Sequence, residues 1–236
     1  MKTDQSCWAI IPAAGVGTRM GLETPKQYLK LLDKTVLEYS VELFCEYPAI
    51  KGVVIVLCDG DPFWPETGLA NNSKKIIVTQ GGVERCHSVQ NGLQSLKTIA
   101  DPNDWVLVHD AARPCLQRSD IDKLIMSLEG NLVGGLLALP VKDTMKRGDQ
   151  NKNVIETVNR QSLWHALTPQ MFRFSLLGSA IDNALSQNIL VTDEAQAIEL
   201  YGKQPVLIEG SARNIKITNP GDLKLAELYI SQQEIT

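Results

Sequence analysis

Two cations, Arg19 and Lys26, follow closely on a run of small residues, Ala13-Ala14-Gly15-Val16-Gly17. Backbone this lean can approach a ligand closely, and Gly15 and Gly17 can take positive φ. Successive N–H groups in such a loop cradle phosphate oxygens. A guanidinium adds bidentate contacts and an ammonium a mobile point charge. The combination predicts a grip for a polyphosphate. Two better-known loops fail on spacing. A P-loop needs Lys-Ser or Lys-Thr after its glycines, and Thr18-Arg19-Met20 stands there instead. The dinucleotide fingerprint needs a third glycine where Met20 stands, and an acidic residue closing a second strand about 20 residues on. An ordinary strand-to-helix turn would use the glycines but has no need of Arg19 and Lys26.

Other candidates lie farther along. Gly81-Gly82 is followed by Arg85 and Ser88, and His109-Asp110-Ala111-Ala112-Arg113 closes an apolar run. The Asp110 carboxylate suits Mg²⁺ or substrate hydroxyls, with a helix cap as the plainer alternative, and Arg113 suits a phosphate. Arg160 and Lys216 complete the set of local cations. Of the three histidines, His87 adjoins Cys86, but neighbours in sequence are not thereby a base and a thiolate. There is no GxSxG or HExxH pattern, so neither a serine nucleophile nor a caged zinc is expected. The lack of a base is informative. An acceptor that is itself a phosphate is already anionic near neutral pH, its second pKa being about 6. Catalysis then needs alignment and charge neutralisation, which cations, backbone amides and a Mg²⁺ held mainly by the phosphates would supply.

These residues must be positioned by strands and helices. Trp8–Ile11, Gly52–Cys58, Lys74–Thr79, Trp105–His109 and Val133–Leu139 are short apolar runs of strand length. Helical spacing covers Val36–Tyr47, Glu84–Lys97, Asp120–Leu128, Phe174–Gln187, Asp193–Tyr201 (capped by Thr192) and Pro220–Gln232 (capped by Asn219). Val206–Glu209 and Asn214–Thr218 add short strands. The alternation predicts a single α/β domain, Rossmann-like, its mostly parallel sheet covered by helices on both faces. Ligands of such sheets bind at the carboxyl ends of the strands, where the candidates above fall. A polar hairpin at about 140–160 interrupts the pattern. A lone hairpin is marginal in water, so it is expected to lean on a second subunit.

Bulk properties limit the rest. The 236 residues carry a net charge of −4, which argues against nucleic acid or a membrane surface as partner. No apolar run approaches 18 residues, and the five scattered cysteines have the pattern of reduced thiols, so a cytoplasmic protein is expected.

PAAGVGTRM followed by PKQY resembles the nucleotide-binding loop of the cytidylyltransferase branch of the sugar-nucleotide transferase superfamily. GGVERCHSV, WVLVHDAARP, PVKDTMKR, TVNRQSLWHALTPQMF, TDEA and NIKIT extend the resemblance from about Ala9 to Leu228. Within that branch they are most similar to the 2-C-methyl-D-erythritol 4-phosphate cytidylyltransferase family. The resemblance implies transfer of CMP from CTP to methylerythritol phosphate, with Mg²⁺, by a cytoplasmic homodimer in isoprenoid precursor synthesis. It implies that Arg19 and Lys26 stabilise the transition state while Arg160 and Lys216 position the acceptor phosphate. Ala13, Ala14, Gly15, Gly17, Gly82 and Ser88 would hold CTP. Asp110, Ala111, Arg113, Thr144 and Thr168 would bind methylerythritol phosphate, with Thr144 and Arg160 carried by the hairpin into a neighbouring subunit. Val83 and Arg213 stand where the family commonly has acids. A ribitol-5-phosphate cytidylyltransferase, or a nucleotide-binding module without turnover, would share the loop.

Overall fold

The computed structural model describes residues 6–15, 24–70 and 75–233; Gly17 and Arg19 lie outside them. In chain order come β1 (Cys7–Pro12), β2 (Lys30–Leu31), β3 (Lys34–Thr35), α1 (Val36–Glu46), β4 (Ile50–Leu57) and β5 (Ile76–Gln80). Next are α2 (Arg85–Leu96), β6 (Trp105–Val108), α3 (Arg118–Ser127), β7 (Gly134–Pro140), β8 (Met145–Gly148), β9 (Val154–Val158) and β10 (Trp164–Arg173). The chain closes with α4 (Phe174–Ser186), α5 (Glu194–Leu200), β11 (Val206–Glu209) and α6 (Pro220–Gln233).

Seven strands form the central sheet in the order β11-β7-β10-β6-β1-β4-β5. β10 runs antiparallel to both β6 and β7, while the β1, β4, β5, β6 and β7–β11 ladders are parallel. Side chains of the central strands alternate between two buried layers, as a pleat covered on both faces requires. Cys7, Ala9 and Ile11 of β1 share one layer with Val41 and Phe44 of α1 and Ile121 and Leu124 of α3. Trp8 and Ile10 share the other with Val89 and Leu93 of α2, Leu177 and Ile181 of α4 and Ile198 of α5. Each fully buried Val, Leu, Ile or Phe among them contributes about 1.5–3 kcal/mol of transfer free energy. A third, smaller cluster seats α6 through Ala226 and Ile230 on Leu31, Val36 and Ile217.

Local chemistry sets the helix starts. Thr35 Oγ1 accepts the Glu38 N–H at 3.2 Å while the Glu38 carboxylate accepts the Thr35 N–H at 2.6 Å, a reciprocal cap for α1. The predicted cap of α5, Thr192, is displaced by one residue: Asp193 accepts the Gln196 N–H at 2.9 Å, a carboxylate being the stronger acceptor. At the start of α6 the predicted Asn219 side chain bonds to Thr218, and the Asp222 carboxylate accepts the N–H groups of Thr218 and Asn219, each at 2.8 Å. Two further expectations differ. Asn214–Thr218 joins no ladder among the described residues, so it is a loop whose Ile217 N–H donates to Ala112 O. β10 has no counterpart among the expected strands, because Pro169 and neighbouring polar residues break its apolar pattern. The ladder with β7 shifts register between Ala166 and Gln170, where Pro169 has no N–H to give.

The hairpin exists as predicted. β8 and β9 form a separate two-stranded sheet, and Val154 and Ile155 stand 64% and 62% exposed.

Candidate active site

Segments that follow β1, β5, β6 and β11 meet at one cleft of about 280 Å³. The loop after β1 supplies Ala13, Ala14 and Gly15, and the turn before β2 supplies Lys26 and Gln27. The loop between β5 and α2 adds Gly82, Val83 and Glu84, and the first turn of α2 adds Arg85 and Ser88. The loop after β6 adds Asp110, Ala111 and Ala112, and the segment after β11 adds Lys216. The β1 and β5 loops touch. A Cβ on Gly81 would lie 2.4 Å from the Ala14 Cβ and 3.0 Å from Ser88 Oγ, so only glycine fits there. Ser88 Oγ accepts the Gly82 N–H at 3.2 Å and lies 3.3 Å from Glu84 O, which fixes the entry to α2.

Asp110 is the electrostatic centre. Its carboxylate meets Lys216 Nζ at 2.9 Å, Arg113 Nε at 3.3 Å and Arg85 Nη2 at 3.4 Å. Burial alone would raise its pKa, but the attraction of Arg85, then Lys216 and Arg113, outweighs it and holds the carboxyl well below its ordinary range. Arg85 is in turn clasped by Glu194 at the start of α5, with Nη1–Oε1 at 2.6 Å and Nη2–Oε2 at 3.2 Å. Burial works against the Arg85 charge, yet Glu194 and Asp110 raise its pKa overall. Arg113 also donates to Asn214 O at 2.7 Å, and Asn214 Nδ2 donates to Thr168 O at 2.7 Å.

A buried chain of hydrogen bonds runs behind Asp110. Its N–H donates to Thr168 Oγ1 at 3.1 Å, and that hydroxyl lies 3.0 Å from His109 Nδ1. His109 Nε2 lies 3.1 Å from Arg113 O. A carbonyl can only accept, so Nε2 carries the proton and Nδ1 accepts from the Thr168 hydroxyl. Burial pushes the His109 pKa down to about 4, keeping the ring neutral. With both nitrogens engaged and no exposure, His109 orders the floor of the cleft and is not a base for a substrate.

Among the predicted residues, Ala13, Ala14, Gly15, Lys26, Gly82, Ser88, Asp110, Ala111 and Lys216 line the cleft. Arg113 and Thr168 lie buried against Asp110. Thr144 and Arg160 sit exposed on the hairpin arm, where Arg160 Nη1 donates to Lys142 O, and neither lines this cleft. Gln27 and Glu194 were not singled out by residue type, although PKQY and TDEA contain them.

The family model described as IspD, 2-C-methyl-D-erythritol 4-phosphate cytidylyltransferase, matches residues 7–232. The chain belongs to this family. It is thereby a nucleotidyltransferase. A 2-C-methyl-D-erythritol 4-phosphate cytidylyltransferase of Aliivibrio fischeri (strain ATCC 700601 / ES114) is 50% identical over 234 residues, spanning 99% of this chain and 98% of that one. One of the same name from Vibrio parahaemolyticus is 51% identical over 225 residues, 95% of each chain. The crystal structure of the Francisella tularensis IspD superposes with a TM-score of 0.84 at 37% identity, covering 95% of this chain and all of the other.

Proposed function

We propose that the cleft binds CTP and that the enzyme transfers its CMP group to 2-C-methyl-D-erythritol 4-phosphate, releasing pyrophosphate. The observation that carries the reading is the ring of cations on one ionised carboxylate, Asp110, next to an amide-lined loop and Lys26. An acceptor phosphate oxygen attacks the α-phosphorus as the bond to the pyrophosphate oxygen breaks. The attacking group is already anionic, so no proton is removed from it. That agrees with the neutral, fully engaged His109.

Ala13, Ala14, Gly15, Gly82 and Ser88 hold the nucleotide in this reading, together with Gly17. Lys26 and Arg19 are assigned to neutralise the charge that develops on the leaving phosphates. Asp110, Ala111, Arg113 and Thr168 take the acceptor, and Lys216 guides its phosphate. The cleft does not suit a protein-caged metal. Both Asp110 oxygens already meet cations, and the described residues contain no group of three or more His, Cys, Asp or Glu able to hold one. We therefore assign Mg²⁺ to the triphosphate, as part of the substrate, where it neutralises phosphate charge; Asp110 is not its ligand.

The exposed Val154 and Ile155 support an arm that packs on a second copy of the chain, as a homodimer, and delivers Thr144 and Arg160 to the neighbour's cleft. Among the described residues no helix is long and apolar enough to cross a membrane, which accords with a cytoplasmic enzyme. Lys26→Ala tests the transition-state role. It should lower kcat by about 10²-fold or more; an unchanged kcat with only a raised KM would remove Lys26 from that role.

A further inference from the structure

Gln27 is buried, 4% exposed, between Lys26 and Tyr28 in a single 3-10 turn. Its carboxamide has two N–H donors, and Nε2 donates to Ala13 O at 2.8 Å and Gly15 O at 3.0 Å. Those carbonyls belong to the loop after β1. The other side of the turn is anchored as well: Tyr28 donates its hydroxyl to Asp61 Oδ2 at 2.8 Å, and its ring stacks on Phe63 with centroids 5.2 Å apart. The Ala13 N–H is committed to Val56 O at 2.8 Å.

In a trans peptide the carbonyl and the following N–H point in opposite directions. Holding the Ala13 carbonyl toward Gln27 therefore turns the Ala14 N–H the other way and keeps it there. We propose that Gln27 is a positioning residue, whose carboxamide joins the nucleotide-facing loop to the turn bearing Lys26, so that amides and cation meet the triphosphate as one rigid unit. Glutamate has no hydrogen to give, and methionine matches the length without donors, so neither can replace it. The inference deepens the assignment of this cleft to CTP and rests on it.

The test compares Gln27→Met with wild type, alone and in a Lys26→Ala background, using CTP, methylerythritol phosphate and Mg²⁺. Alone, Gln27→Met should lower kcat/KM for CTP by tenfold or more while the acceptor KM stays within twofold. In the Lys26→Ala background the same change should cost less than it does alone, because only the Ala14 amide is left for the clamp to position. A general loss of fold would instead lower both substrates' parameters and act equally in both backgrounds. A wild type that turns over CTP beside a Gln27→Met enzyme with the same kcat/KM overturns this role alone. A wild type that binds no CTP overturns the cleft assignment and this role with it. Should Gln27→Met fail to fold, hydrogen exchange on the wild type decides. The Gln27 side-chain amide should exchange far more slowly than that of exposed Gln161, and equal rates would refute the clamp.

Discussion

His109→Gln tests the hydrogen-bond chain that sets the floor of the site. In the native protein burial lowers the His109 pKa from 6.5 to about 4. Between those values the unfolded chain takes up a proton that the native ring refuses. Stability therefore falls as pH drops through 6.5 and levels off below about 4. The gap corresponds to about 3 kcal/mol when complete, of which about 2 kcal/mol is lost between pH 7 and pH 5. Asp110 does not blur this window. Its folded pKa is depressed, so its contribution is intact above its ordinary 3.8 and is lost only at lower pH. Glu194, raised by burial against the pull of Arg85, gives a slope of the opposite sign above its ordinary 4.5, stability rising as pH falls through its raised pKa. Subtracting the variant from the wild type cancels that slope. Urea unfolding at pH 7, 6 and 5, at one protein concentration, should show wild type losing about 2 kcal/mol more than His109→Gln. The variant should start lower, because the Thr168 hydroxyl and the Arg113 carbonyl lose their partner. Equal pH dependence in the two proteins would refute a neutral, buried His109.

Two further perturbations probe the cleft and the arm. Gly81→Ala forces a methyl onto Ala14 and Ser88, which should cost about 1–3 kcal/mol of stability and raise the KM for CTP above that for the acceptor; unchanged melting and KM would refute the close loop contact. Mixing inactive Arg160→Ala with inactive Lys26→Ala subunits should restore activity in heterodimers that pair one intact cleft with one intact arm. No recovery after proven subunit exchange would count against a shared site.

The central strands were legible because they are covered on both faces, which leaves short β-branched runs such as Val53–Leu57 with no polar interruption. Their expected parallel arrangement then located the cleft, since loops after β1, β5 and β6 share the carboxyl edge. β10 was hidden because an antiparallel strand carrying Pro169 and Gln170 has no continuous apolar run, yet it is the element that brings Thr168 to Asp110. Asn214–Thr218 carried strand-like residues, but strand formation depends on a neighbour that the local sequence does not encode. The cations Lys26 and Lys216 were readable by type and position. The clasp on Arg85 was not, because Glu194 lies 109 residues away and its role exists only after α5 packs beside α2. Gln27 was passed over because a glutamine between Lys26 and Tyr28 has no chemistry until its carboxamide is seen on two loop carbonyls.

The most direct measurement is pyrophosphate release from CTP and Mg²⁺, with 2-C-methyl-D-erythritol 4-phosphate and ribitol 5-phosphate offered separately as acceptors. The account predicts turnover with the methylerythritol phosphate and none with ribitol phosphate. Release only with ribitol phosphate, or with neither while CTP still binds the cleft, would contradict it.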